Sequence, residues 1–347
     1  PTLCLCSFAK REARHKLGGS MTRDTIERQA ATDAAGQIRE VAEKVKANIG
    51  RVIVGKQDVI DLVLVALFSE GHLLLEDVPG IGKTTLAKSI ARSIGCTFRR
   101  IQFTPDVMPS DVSGINFYNQ KSGEFEFRPG PIIANIVLAD EINRATPRTQ
   151  SALLEAMEER QVTIEGVTTM LPAPFLVIAT QNPIELEGTF PLPEAQLDRF
   201  FMKVALGYPE EDEEDAILVR FEEGSPLVDL EPVTTDVELV KLARLVPHIY
   251  CEPSVRRYIV QLVQATRKHA AYDLGASPRG SMNLFKGARA LAALRGRDFV
   301  LPDDVKFLAP YVLGHRAILS SQSRLRGRDA AGVLQEIVET VPVPVEG

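Results

Sequence analysis

A chain of 347 residues carries 40 basic and 46 acidic side chains, a formal net charge of -6, and no tryptophan. The length allows two or three domains of ~100–200 residues each, with a substantial core. The acidic balance excludes a global field drawing the protein to nucleic acid or an anionic membrane, and the scarcity of aromatics argues against a stacking platform for single strands. The longest apolar stretch, Val59 to Phe68, is interrupted by Asp61 and falls well short of the ~20 residues that span a bilayer, so a soluble protein is expected. Cys4, Cys6, Cys96 and Cys251 have neither zinc-site spacing nor the density of a disulfide framework, and the five histidines are scattered, so a reducing cytoplasm is the expected compartment.

In chain order, residues 1–36 read as an N-terminal extension, disordered or artefactual: Lys10, Arg11, Arg14 and Lys16 crowd together before Gly18-Gly19-Ser20. From Gln37, the residues Ile38, Val41, Val45 and Ile49 recur at helical spacing, Gly50 stops the helix, and Arg51 to Val54 reads as a short strand. A second helix is expected from about Gln57 to Ser69. Five short apolar strands follow at Leu73 to Glu76, Phe98 to Phe103, Ile136 to Ala139, Phe175 to Thr180 and Phe200 to Val204, with helical segments between them. That rhythm is the mark of an α/β domain with a parallel sheet covered on both faces. Two β-hairpins interrupt it, one turning at Lys121-Ser122-Gly123 and one at Glu165-Gly166. Past residue 208 an acidic run, Glu210 to Asp215, reads as the solvated start of a helix, and Thr235-x-x-Glu238 as a capping box. Further helices are expected around Val255 to Val263, Ser281 to Leu294 and Asp303 to Leu319, with no sheet. The expected division is therefore an α/β core over 37–208, a helical domain over 209–331 and a tail over 332–347.

The densest chemistry lies in Glu76 to Thr85, where an apolar strand runs into Pro79-Gly80-Ile81-Gly82-Lys83-Thr84-Thr85 and then into a helix. Glycines allow a tight turn that aims backbone N–H groups at phosphate oxygens, and the helix adds the positive end of its dipole. Lys83 can reach the β- and γ-phosphates, and the Thr84 hydroxyl can bind Mg²⁺. One position departs from the strict G-x-x-x-x-G-K-[ST] pattern, with Asp77 standing where the first glycine belongs. A second signal is the strand Ile136 to Ala139 ending in Asp140-Glu141. In a parallel sheet both motifs fall at the strands' carboxyl ends, where Asp140 can hold Mg²⁺ and Glu141 can polarise a water. The first motif specifies triphosphate binding; the pair specifies hydrolysis.

Together with Leu138-Ala-Asp-Glu-Ile-Asn-Arg-Ala145, Ala179-Thr-Gln-Asn-Pro183 and Leu192-Pro-Glu-Ala-Gln-Leu-Asp-Arg-Phe200, the phosphate loop resembles a MoxR-family AAA+ ATPase over roughly residues 37 to 330. The resemblance implies a P-loop core with five parallel strands in the order 5-1-4-3-2, a small all-α lid, and hexameric rings with ATP and Mg²⁺ between subunits. It places sensor 1 at Asn182, the arginine finger at Arg199, sensor 2 at Arg279 and the adenine-side loop at Val54 and Gly55, with Arg144 and Arg148 toward the subunit interface. The alternative for Arg199 is a surface ion pair with Asp198 or Glu194. The family further implies chaperone work on partners bearing von Willebrand factor A domains. Rival readings are a nucleic-acid motor, disfavoured by the charge, a magnesium-chelatase-type motor subunit, and a non-hydrolysing nucleotide-gated scaffold.

Overall fold

The structure is a computed structural model that describes residues 23–182, 188–222 and 224–344. Helix α1 (Arg23–Gly50) begins well before Gln37, so residues 23–36, expected to lack order, are helical. The reason is visible further along the helix: Ala31, Ala34 and Ala35 extend the buried face of Ile38, Val41, Ala42, Val45 and Ile49 at helical spacing. Residues 51–54 form turns where a strand was expected, since Arg51, Val52 and Ile53 donate their amides back to carbonyls of Asn48 and Ile49. Helix α2 (Gln57–Phe68) is apolar nearly all round and is accordingly buried from Val59 to Phe68 except at Asp61.

The core then alternates as the sequence pattern implied. Strand β1 (Leu73–Glu76) leads to α3 (Lys83–Ser93), β2 (Phe98–Gln102) and the short α4 (Pro109–Ser113). The first hairpin is β3 (Gly114–Asn119) with β4 (Glu124–Pro129), followed by β5 (Ile136–Asp140) and α5 (Pro147–Glu159). The second hairpin, β6 (Gln161–Ile164) with β7 (Val167–Met170), precedes β8 (Leu176–Gln181), α6 (Glu194–Leu197) and β9 (Met202–Val204). The five core strands lie parallel in the order β2-β5-β8-β1-β9, which is the expected 5-1-4-3-2. Alternate residues face opposite layers. Leu73, Leu75, Leu138 and Ile178 pack toward α1, α2 and α3, whereas Leu74, Val137, Ala139 and Val177 pack toward α5.

Beyond the core come α7 (Glu211–Glu222), α8 (Asp236–Ala243), α9 (Pro253–Lys268), β10 (Tyr272–Leu274), α10 (Pro278–Leu294), α11 (Pro302–Leu313), β11 (Ile318–Leu319), α12 (Ser321–Leu325) and α13 (Ala330–Thr340). The acidic run does open a helix. The capping box forms by half: Thr235 Oγ1 accepts from the Glu238 amide at 3.2 Å, but the Glu238 carboxylate turns to Thr234 Oγ1 at 2.7 Å. Two expectations are corrected. Helix α11 stops at Leu313 before Gly314, and residues 318–319, expected in that helix, instead pair antiparallel with β10 in a two-stranded ribbon. This part of the chain shares one apolar cluster with the core, because α10 packs against both α1 and α2. Among the described residues no helix is long and apolar enough to cross a membrane.

Candidate nucleotide site

The register sets the candidate residues side by side. Glu76 at the end of β1 is level with Gln181 at the end of β8, and Asp140 at the end of β5 with Gln102 at the end of β2. The phosphate loop, the Asp140-Glu141 pair and Asn182 therefore open on one edge of the sheet, the carboxyl edge where α/β folds bind ligands.

Within the loop, Gly80 and Gly82 have φ values of 88° and 92°. An added Cβ at either would meet no atom within 4 Å, so it is the left-handed backbone, not crowding, that calls for glycine. Gly82 is the N-cap of α3, and Lys83-Thr84-Thr85 form its first turn. The Lys83 ammonium curls over the loop, donating to the carbonyls of Asp77 at 2.7 Å and Val78 at 3.2 Å. Partial burial pulls its pKa below the usual lysine value, against the opposing pull of Asp77, Asp140 and Glu141. Lys83 thus sits within the field of both carboxylates.

Asp77 has a structural task. Its Oδ1 accepts from the Val78 amide at 3.0 Å, while its Oδ2 accepts from the amides of Leu206 and Gly207 at 2.7 and 2.8 Å. A glycine could not make this clamp between the entry of the phosphate loop and the chain leaving β9. The same connection is tied to the adenine-side loop: Lys56 Nζ donates to the Tyr208 carbonyl at 2.8 Å and pairs with Glu213 at 3.3 Å. Val54 and Gly55 are half-buried there, and a Cβ on Gly55 would stand 1.8 Å from Glu213 Oε1.

The carboxylate pair is held by partners that the sequence pattern did not reveal. Asp140 Oδ1 accepts from Thr180 Oγ1 at 2.6 Å, and its Oδ2 pairs with Arg100 at 2.6 Å. Glu141 has φ 58°, a costly conformation for a residue with a Cβ, fixed by its amide donating to Thr180 Oγ1 at 2.9 Å. Its carboxylate Oε2 takes Gln102 Nε2 at 2.8 Å and Arg144 Nε at 3.1 Å. Arg144 therefore serves this chain's own Glu141. The donor set of one carboxylate and one hydroxyl, Asp140 and Thr84, is hard oxygen and fits Mg²⁺ completed by phosphates and water. Among the described residues no group of three or more His, Cys, Asp or Glu could hold a metal alone. Asn182 is half-buried at the end of β8, and the segment after it, 183–187, lies outside the described residues, as do Cys4 and Cys6.

The two other arginines gather elsewhere. Arg199 pairs through Nε with Glu158 Oε2 at 3.3 Å, not with Asp198 or Glu194, and Arg279 pairs with Glu158 Oε1. Asp198 is engaged instead by the buried Arg316, whose Nε lies 2.9 Å away, and by Ser277 Oγ, the N-cap of α10. Burial draws the Arg316 pKa down to about 10 despite Asp198. Sequence reasoning missed Glu158, Asp198, Ser277 and Arg316, whose pairings span 41 to 121 positions and leave no local pattern.

Residues 72–202 match the model of the ATPase family associated with various cellular activities (AAA), and residues 264–337 match the AAA lid domain. The chain is 53% identical over 303 residues to the uncharacterized protein YeaC of Bacillus subtilis, covering 87% of this chain and 95% of that one. It is 42% identical over 311 residues to the chaperone MoxR1 of Mycobacterium tuberculosis, covering 87% of this chain and 82% of the relative. A crystal structure from Cytophaga hutchinsonii superposes with a TM-score of 0.85 at 37% identity, covering 91% of this chain and 99% of that one. With the strand order, the phosphate loop and the lid all in agreement, the chain belongs to the MoxR family of AAA+ ATPases.

Proposed function

We propose that this protein hydrolyses ATP to ADP and phosphate within a ring, hexameric by family likeness, and spends the turnover on remodelling a client protein. The observation that carries this reading is the division of charge. Lys83 lies within the field of Asp140 and Glu141, whereas Arg199 and Arg279 meet on a different carboxylate, Glu158. One chain then supplies a phosphate cradle and a water-polarising acid, and a neighbour supplies the cations that neutralise transition-state charge.

In this reading the amides of the Pro79 to Thr85 loop bind the phosphates, Lys83 bridges the β- and γ-phosphates, and Val54 and Gly55 flank the base. Asp140 and Thr84 hold Mg²⁺, which would supply charge neutralisation across the phosphates. Glu141 orients the attacking water and takes its proton, Asn182 donates its amide to the γ-phosphate or that water, and Arg199 acts in trans. Arg279 couples the lid to the nucleotide. The net charge of -6 and the unpaired Cys96 and Cys251 fit a partner that is protein, in a reducing cytoplasm. Family likeness points to a client with a von Willebrand factor A domain.

The decisive experiment is Glu141→Gln. ATP binding should survive and turnover should fall about 10²–10⁴-fold, the range for losing a general base. Unchanged turnover would remove Glu141 from this role, and loss of binding would relocate it to the nucleotide cradle.

A further inference from the structure

Glu158 stands on α5, outside the cluster of Lys83, Asp140 and Glu141, yet both arginines with proposed roles in catalysis end on it. Resting on the ATPase reading above, we infer that Glu158 is a positioning residue: it holds Arg199 and Arg279 as a pair in the resting subunit and yields them to the γ-phosphate in the neighbouring subunit's site.

Three features support this. First, the stems of the two arginines are fastened together. Asp198, directly before Arg199, accepts from Arg316 Nε at 2.9 Å and from Ser277 Oγ at 3.0 and 3.1 Å. The same Ser277 hydroxyl accepts from the Arg279 amide at 3.1 Å. The two side chains therefore project from a common base. Second, Glu158 lies in the last turn of α5, a helix with no basic residue there. A carboxylate at that end faces the negative pole of the helix dipole, so it gains from cations brought by other elements. Arg199 and Arg279 come from 41 and 121 positions away to supply them.

Third, the contact is strong enough to place the cations and weak enough to release them. The side chains of Arg199, Arg279 and Glu158 are 32%, 41% and 35% exposed, and Arg199 and Glu158 line an open cleft of about 500 Å³ that also carries Glu155, Glu159 and Gln196. Ion pairs so accessible to water are individually weak. A γ-phosphate brought to the same cleft carries more charge and accepts the bidentate geometry that guanidinium groups prefer. Exchange from carboxylate to phosphate would therefore run downhill once ATP is present, and would carry the lid along, because Arg279 and Ser277 belong to α10.

The test uses donor subunits carrying Lys83→Ala, which contribute arginines but no turnover of their own. They are mixed in excess with the wild-type chain, and turnover is followed against ATP concentration. Donors that also carry Glu158→Gln should lower the half-saturating ATP concentration at wild-type sites about threefold to tenfold, relative to Lys83→Ala donors, without lowering kcat. Adding Arg199→Ala to those donors should abolish the gain. Glu158→Asp, which keeps the charge but shortens the reach, should give a smaller shift in the same direction and carries the test if the glutamine variant does not assemble. An unmoved half-saturation point in both variants, or a lower kcat in rings that form normally, would overturn the proposal. Absence of turnover in the wild-type chain would overturn the ATPase reading and this proposal with it.

Discussion

The phosphate half of the candidate site and its arginine half are built on opposite plans. Glu76 to Thr85 is one continuous stretch whose conformation follows from two glycines and a helix start, and the sheet register sets Asp140 and Asn182 beside it. The arginine half is assembled from α5, the residues around Asp198, the start of α10 and the turn after α11, joined by side chains alone. A cradle that must hold its shape with or without ligand is placed on strand ends. The cations proposed to reach another subunit are placed on long side chains over a shared anchor.

The sharpest way to break this contrast is at Arg199. Arg199→Ala should lower turnover about 10³-fold or more, the range for an arginine finger. ATP binding by the same chain should persist, since Arg199 pairs with Glu158 and not with the phosphate loop. Mixed with Lys83→Ala subunits, whose phosphate sites are defective but whose arginines are intact, the variant should regain turnover. No recovery in mixed rings would place the finger in the subunit's own site, and the two halves would then be one.

That division also explains how much of the molecule could be read before its structure. The five strands and both hairpins were legible because each is a local pattern of apolar residues between turns, whereas the strand order was available only as an implication of the family resemblance. Lys83, Thr84, Asp140 and Glu141 could be singled out as candidates because each belongs to a short contiguous motif at the end of a strand. Arg316 was not legible: it falls inside the helix expected from Asp303 to Leu319, and only folding reveals that this arginine is buried against Asp198 and the carbonyls of Phe200 and Phe201. The ribbon of β10 and β11 escaped because two- and three-residue strands carry too few alternations to register.

The next largest effect lies at that buried arginine. Arg316→Met should destabilise the fold by roughly 2–4 kcal/mol, since it strands the half-buried Asp198 without its main partner and removes a buried guanidinium from the carbonyls it satisfies. Urea unfolding measures this, and a loss below 1 kcal/mol would mean that Asp198 finds adequate partners without it. The contrast is sharpened if nucleotide affinity survives while the lid loosens, because the phosphate cradle does not depend on the anchor.

The phosphate half has its own weak point, exposed by acid. His72 is buried just before β1, taking the Val177 amide on Nδ1 at 3.0 Å and giving Nε2–H to the Met157 carbonyl at 3.0 Å. Burial lowers its pKa to about 4 from an ordinary 6.5. The folded state therefore keeps it neutral while the unfolded chain takes up a proton, so stability is complete above pH 6.5 and is lost as pH falls toward 4. The shift corresponds to about 3 kcal/mol. His72→Gln should reduce the slope of stability against pH across that window, with His315, similarly depressed by burial, supplying the remainder. An unchanged slope would show that His72 is solvated well enough to titrate normally.

The smallest effect tests the one residue at which the phosphate loop leaves its pattern. Asp77→Gly restores the strict glycine spacing, and if Asp77 served the nucleotide the change would alter affinity strongly. Its oxygens face the amides of Val78, Leu206 and Gly207, all within the chain, and leave the phosphates to Gly80, Gly82 and Lys83. Affinity for ATP should therefore stay within about threefold, while stability falls by roughly 1–3 kcal/mol as two buried or half-buried amides lose a charged acceptor. The clamp also joins the mouth of the loop to the connection leading toward Lys56 and Glu213. Freed of it, that connection should show faster amide exchange at Leu206 and Gly207 than in the wild-type chain. Equal exchange with weakened ATP binding would reverse the assignment, making Asp77 part of the cradle rather than its tie to the chain beyond β9.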